Sequence, residues 1–385
     1  MNSKVLKNIR LFWATMIKSP GYFGQFTNQI YQVYLNHHKI VHFRDGYPVY
    51  SLSTPALYSK PAANFFARSL YRIIQNRNLP NLMSFAVSKT CNADCKHCSF
   101  FDSESKREGK MLTLEQCKKV IKDAQELGVS IINLLGGEPL MREDILDVIK
   151  SINKDLSTVI LFTNGWYLAG KAMELKKSGL DGVYVSIDSA DKEEHDKIRG
   201  KQGMFDRGME GLRNAKKAGL TVGISCCITK EDYQNGKLKR IIELGKKVGV
   251  HEVLVFDAIP TGRMSGCGNL VDDNGWINEM IKFTEKYNKD DSYPGILVYA
   301  YATSYRSTGC SGGTSYFYVS PYGDISPCDF NHATFGNVLE EPLYEIWGRM
   351  SSLDLYEQAT WGGCKMKSSK YRDNEHVSAE GYKRG

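Results

Sequence analysis

Cys91-Asn92-Ala93-Asp94-Cys95-Lys96-His97-Cys98 decides how this 385-residue chain is read. Its three cysteines stand at C-x-x-x-C-x-x-C spacing, just after a short apolar run at residues 84–88 that predicts a strand feeding a loop. Three thiolates this close together can hold three irons of a cubane cluster, leaving the fourth iron open to a small molecule. Zinc is the alternative, but a zinc site normally takes four ligands arranged as two pairs, and no second pair lies nearby. The ten cysteines, at 91, 95, 98, 117, 226, 227, 267, 310, 328 and 364, are not spread as in a small stapled scaffold. With no secretory signal recognised either, a reducing cytoplasm with metal-bound thiolates is the expectation.

Outward from this loop the pattern is regular. A helix is predicted over 113–127, opened by the Thr113 to Gln116 capping-box spacing and ended by Gly128. Strands follow at 130–135, 159–162, 182–187, 221–228 and 253–256, each separated from the next by an amphipathic helical stretch. Repeated βα units imply parallel strands with crossover helices, so the fold class is α/β. About six such units make a partial (β/α)6 TIM-type barrel over 84–298, with ligand chemistry at the C-terminal ends of the strands. After residue 299 the chain turns to short Gly, Ser and Tyr-rich strands and a helix near 342–350. This predicts a small C-terminal α+β domain over 299–373 and a polar tail at 374–385.

Residues 1–83 differ from both. Residues 1–85 carry a net charge of +9, with Asp45 the single acid, while the rest of the chain sums to −2. No apolar run is long enough to span a bilayer. However, Val5, Leu6, Ile9, Phe12, Trp13, Met16 and Ile17 share one face of a helix predicted at 3–18, and aromatic stretches follow at 23–34 and 65–74. A basic amphipathic segment suits an anionic membrane surface, and this predicts peripheral attachment to the inner face of the cell membrane. The alternative is that the stripe packs on the barrel. No nucleic-acid partner is expected.

The cysteine loop after the first barrel strand resembles the radical S-adenosylmethionine (SAM) superfamily, and further matches fall in order along about 200 residues. Gly136-Gly137-Glu138-Pro139 is similar to the family's segment that contacts the amino group of SAM. Thr163-Asn164-Gly165 and Ser186-Ile187-Asp188 end strands where the family binds the ribose and carboxylate of SAM. Arg199 resembles an arginine that pairs with that carboxylate in some branches. Cys310, Gly323 and Cys328, as C-x12-G-x4-C, with Cys364 beyond, resemble the SPASM or twitch extension. The dense later cysteine cluster of a full SPASM domain is absent, so the resemblance implies one auxiliary iron-sulfur cluster on Cys310, Cys328 and Cys364.

The resemblance implies a [4Fe-4S] cluster on Cys91, Cys95 and Cys98, with SAM bound near Gly136, Gly137, Glu138, Ser186, Asp188 and Arg199. Reduction by a partner such as flavodoxin or ferredoxin cleaves SAM to a 5′-deoxyadenosyl radical, which takes hydrogen from an organic substrate. The N-terminal segment points to a membrane lipid or isoprenoid-like substrate; the SPASM-like extension points instead to a peptide- or tetrapyrrole-modifying maturase. A non-catalytic iron-sulfur electron carrier is the reading of another class, and it would need neither Gly136 to Glu138 nor the barrel. Cys226 and Cys227, adjacent on one strand, face opposite sides. Cys117 reads as structural and Cys267 as incidental.

Overall fold

The computed structural model describes residues 3–18, 39–100, 109–267, 270, 274–331, 333–356, 363–368 and 371. The aromatic stretch expected at 23–34 and the tail at 374–385 lie outside them.

The barrel strands are short runs rich in Val, Ile and Leu, buried on both faces as parallel strands covered by helices are. They are β3 (Leu82–Ser88), β4 (Ile131–Gly136), β5 (Thr158–Thr163), β6 (Gly182–Ser186), β7 (Thr221–Ile228), β8 (Glu252–Asp257) and β9 (Gly295–Val298). Each pairs in parallel with the next. On the free side of β3 the order continues with β10 (Tyr316–Val319), also parallel, then β11 (Ile325–Ser326), antiparallel to β10. β9 and β11 end the sheet without pairing to each other, which makes a partial barrel. The capping box at the first crossover helix (Leu114–Leu127) is formed, with Gln116 N donating to Thr113 Oγ1 at 3.3 Å and Thr113 N to Gln116 Oε1 at 2.8 Å.

β9 is not placed by the sequence reading, and β10, which falls among the short strands expected after residue 299, is not expected to join the barrel sheet. β9 and β10 have four residues each, too few to show a period, and β10 reads Tyr-Phe-Tyr-Val with every residue buried. The chain after residue 299 therefore contributes directly to the sheet, with Tyr316 opposite Leu82 and Val319 opposite Phe85.

The N-terminal segment seals the base of the barrel. An Asp45-Gly46 turn, both residues at positive φ, closes a hairpin of β1 (His42–Arg44) and β2 (Tyr47–Val49). Arg44 then reaches under the sheet, donating from Nε to Thr221 Oγ1 at 3.2 Å and lying 3.4 Å from Asp181. Lys39 donates to the carbonyls of Asp290 at 2.9 Å and Tyr293 at 2.8 Å. Leu52 enters the lumen beside Ile160, Tyr184 and Leu254, and its N–H donates to Glu252 Oε2 at 2.8 Å. Tyr184 O–H donates to the same carboxylate oxygen. Basic residues whose charge suggested a membrane surface are thus partly spent inside the protein. Glu252→Ala strips Leu52 N–H of its acceptor and leaves Tyr184 with Ser53 at 3.3 Å. The expected cost is about 2 kcal/mol, seen as a lower urea midpoint; an unchanged midpoint would show that Glu252 does not hold the plug.

Helix α1 (Ser3–Lys18) lies on helix α2 (Lys60–Gln75). Thr15 faces inward, whereas Ile9, Phe12, Trp13 and Ile17 form an outward apolar stripe. Among the described residues, no helix is long and apolar enough to cross a membrane.

Candidate active site

Cys91 to Cys98, Gly136 to Pro139, Thr163 to Gly165 and Ser186 to Asp188 fall at the C-terminal end of a barrel strand or in the loop beyond it, where the strands deliver side chains to one mouth, and Arg199 ends the helix that follows β6. Cys91, Cys95 and Cys98 follow β3 and line a cavity of about 740 Å³, together with Gly136, Gly137, Asn164, Ser186, Asp188 and Arg199. Ser186 Oγ lies 3.3 Å from Ser225 Oγ on the neighbouring strand.

Three neighbours clamp the cysteine loop. After β4, Gly137 N donates to Ser88 O at 2.8 Å and Glu138 N to Thr90 O at 2.7 Å. Only glycines permit so close an approach: a Cβ on Gly136 would lie 2.4 Å from Ser88 O, and one on Gly137 2.3 Å from Thr90 O. The helix α3 (Lys192–Arg199) supplies two carbonyls, with Asp94 N donating to Arg199 O at 2.9 Å and Lys96 N to Ile198 O at 3.1 Å. The 3-10 turn Gly262–Met264 closes the far side. There Arg263 N donates to Cys98 O at 3.1 Å and Arg263 Nη1 to Cys95 O at 2.8 Å. Arg263 was not singled out from the sequence, because nothing local marks a residue that acts 168 positions away.

Polar hydrogens converge on the thiols. Ala93 N lies 3.4 Å from Cys91 Sγ, Asn164 Nδ2 4.0 Å from the same sulfur, and Arg199 Nη1 3.6 Å from Cys95 Sγ. Burial pushes the Cys91 thiol up to about 12, with Glu138 and the other two cysteines adding to the effect. A cationic group that takes three thiolates would offset that penalty. Among the described residues, no three His, Cys, Asp or Glu side chains converge as a single-ion site requires. The thiol trio and its N–H donors fit an iron-sulfur cluster.

Behind the thiols lies a buried charge network. Asp188 Oδ2 is 2.6 Å from Arg199 Nε and 3.5 Å from His97 Nε2, and Oδ1 accepts from Cys227 N at 2.9 Å. The Asp188–Arg199 approach is an ion contact without hydrogen-bond alignment. Burial works to raise the Asp188 carboxyl, but Arg199 and then His97 outweigh it, and the group sits below the usual carboxylate range. Burial holds His195 down at about 4, and its Nδ1 accepts from Asp188 N at 3.1 Å.

Glu138 stands apart from the other predicted SAM-site residues. Its carboxylate is fully buried and accepts from Thr163 Oγ1 at 2.6 Å, Asn164 N at 2.8 Å and Leu140 N at 3.0 Å. Burial pushes it up to about 7 despite these bonds. It ties the end of β4 to the end of β5, and the cavity wall beside it is made by Gly136, Gly137, Thr163 and Asn164.

Cys310, Cys328 and Cys364 are buried as a second trio. Burial and then the other two cysteines raise the Cys364 thiol, and the same three raise the Tyr299 hydroxyl after burial. Lys365 lies close to Cys310 and Cys328, and Asp329, beside Cys328, accepts from Tyr316 O–H at 2.8 Å. Of the remaining cysteines, Cys117 and Cys226 are core residues, and Cys227 is the half-buried neighbour.

Fold and site together define a barrel enzyme organised around iron-sulfur chemistry. The model of the radical SAM superfamily matches residues 85–235, and that of an iron-sulfur cluster-binding domain, SPASM, matches residues 310–367. An AdoMet-dependent heme synthase of Methanosarcina barkeri is 30% identical over 71% of this chain and 84% of its own length. A PqqA peptide cyclase of Granulibacter bethesdensis is 26% identical over 73% of this chain and 81% of its own. The crystal structure of Streptococcus suis SuiB bound to precursor peptide SuiA shares the fold, with a TM-score of 0.60 and 16% identity over 83% of this chain and 79% of that one. The chain belongs to the radical SAM superfamily and carries a SPASM domain. It is an enzyme that uses a [4Fe-4S] cluster and SAM, and the SPASM domain binds auxiliary iron-sulfur chemistry.

Proposed function

We propose that this enzyme modifies a carboxylate-bearing tetrapyrrole. Cys91, Cys95 and Cys98 hold the cluster that meets SAM, and Cys310, Cys328 and Cys364 hold one auxiliary cluster. The observation that carries the reading is the cavity of about 740 Å³ that extends inward from the first thiol trio between Phe162, Phe256, Tyr299, Tyr316, Tyr318 and Phe330. Its size lies in the range of about 300–1,000 Å³ for ligand cavities, and its aromatic walls suit a flat conjugated ring. The heme synthase relative supports the same substrate class.

The bound cluster and SAM supply a 5′-deoxyadenosyl radical. This chain's residues orient and enclose the reactants: Gly136, Gly137, Asn164 and Ser186 face SAM, Arg199 sets positive charge beside Cys95, and Glu138 braces the turn behind them. Flavodoxin or ferredoxin is the proposed electron source. Peptide modification is the second reading, favoured by similarity to the peptide cyclase. The lipid reading loses its footing, because it drew on an N-terminal segment whose Lys39, Arg44 and Leu52 are engaged in sealing the barrel.

Anaerobically reconstituted protein with SAM and dithionite is expected to release 5′-deoxyadenosine at least tenfold faster with iron coproporphyrin III, and to change the mass of that porphyrin. A rate indifferent to the porphyrin, with its mass unchanged, would remove the tetrapyrrole reading and leave the peptide one.

A further inference from the structure

We propose that Arg72, at the base of the barrel cavity, anchors a carboxylate at the end of the substrate furthest from the cysteine loop. The inference rests on the tetrapyrrole reading and names the group that orients such a ligand.

Five basic side chains line the cavity: Arg72, Lys89, His97, Arg199 and Arg306. Three of them already face acids. Arg199 and His97 share Asp188, and Arg306 lies 3.4 Å from Glu285. Lys89, at the mouth, sits over the Tyr322 ring and 3.4 Å from Gly109 O. Arg72 differs from all of these. Among the described residues no acid, carbonyl or ring meets its guanidinium, and burial acts on it without an opposing charge.

Arg72 is half-buried at the cavity wall, so its unpartnered N–H groups face the space a ligand would fill. A carboxylate that accepts two parallel N–H bonds from them fixes the direction of the ligand. Ser69, Asn81 and Ser315 line the same end of the cavity, and Asn81 Oδ1 is buried with no partner. The base is therefore polar, while the walls above it are aromatic.

Its depth restricts the ligand further. Arg72 stands one helical turn beyond Ser69, whose Oγ accepts from Asn81 Nδ2 at 3.0 Å just before β3 begins at Leu82, and the cysteine loop follows Ser88 at the end of that strand. Six steps along a strand span about 20 Å at ~3.3 Å per residue. A ligand held at Arg72 must be long, largely apolar and acidic at its lower end if it is to reach SAM at the top. A tetrapyrrole with carboxyethyl arms has this form. Helix α2, which carries Arg72, also lies outside residues 85–235, so the anchor is a feature of this chain's own N-terminal segment.

The test is absorbance titration of the reconstituted, SAM-loaded protein with iron coproporphyrin III and with its tetramethyl ester, whose carboxylates are masked. Wild type should prefer the acid. Arg72→Ala should weaken the acid by about 10- to 100-fold, the scale of a lost charged hydrogen bond, and leave the ester unchanged; Arg72→Lys should retain part of the affinity. Iron content and the far-UV spectrum control for folding. If wild type binds acid and ester alike, or Arg72→Ala weakens both equally, the anchor is wrong while the tetrapyrrole reading stands. If wild type binds neither, that reading falls and the anchor falls with it.

Discussion

Replacing Cys91, Cys95 and Cys98 together by Ala is expected to remove about four irons per chain and to reduce SAM cleavage to background. All three thiols open on one cavity, and three neighbouring segments hold the backbone of the loop that carries them. With all three thiolates gone the loop offers no ligand to a cubane that already keeps one iron free of protein. Iron analysis of the triple variant also reports on the second trio, since any iron it retains must sit elsewhere, and Cys310, Cys328 and Cys364 are the buried group available. Cys117→Ala provides the contrast. Cys117 is wholly buried beside Leu112, so its loss should cost about 1–2 kcal/mol of stability and leave the iron count intact. If the triple variant still releases 5′-deoxyadenosine under reductant, the assignment of the catalytic cluster to this loop is wrong.

The barrel was legible because its strands and helices differ in period. Residues 113–127 carry a cap, an amphipathic face and a glycine stop, and all three features recur in the structure. The places of short strands without alternation were not legible. β9 and β10 offer four residues each, and what brings β10 into the barrel sheet is its partner β3, more than 200 positions away. The same limit applies to the site. Gly136 and Gly137 announce a close approach, but the sequence does not say that they approach the backbone at Ser88 and Thr90. Glu138 was expected to reach for SAM, whereas its carboxylate is held by Thr163, Asn164 and Leu140, partners that only the fold brings together.

Charge was the least transferable signal. The +9 of residues 1–85 is a true property of the sequence, but net charge says where basic residues are and not which way they point. Lys39 and Arg44 point inward to carbonyls and a carboxylate, and Arg72 points into the cavity. The outward stripe on α1, with Phe12 and Trp13 44% and 54% exposed, is a separate feature from that charge.

Gly137→Ala should disable the site without touching a thiol. The new Cβ would stand 2.3 Å from Thr90 O and 2.7 Å from Thr90 C, both backbone atoms that cannot rotate away. Either the turn after β4 lifts from the cysteine loop, breaking the bonds from Gly137 N to Ser88 O and from Glu138 N to Thr90 O, or the loop itself shifts. Two lost hydrogen bonds and the accompanying strain cost about 2–4 kcal/mol. Thr90 adjoins Cys91, so displacement of the loop also moves a ligand off its position. The expected result is a lower urea midpoint together with loss of most of the iron assigned to the first trio. Gly170→Ala is the matched control: it lies in the helix Leu168–Lys177 with nothing within 4 Å of its Cβ. Alanine there should stabilise the helix by up to about 1 kcal/mol. If Gly137→Ala keeps the iron and stability of Gly170→Ala, the loop tolerates the extra atom, and the glycine pair is not what seats Cys91.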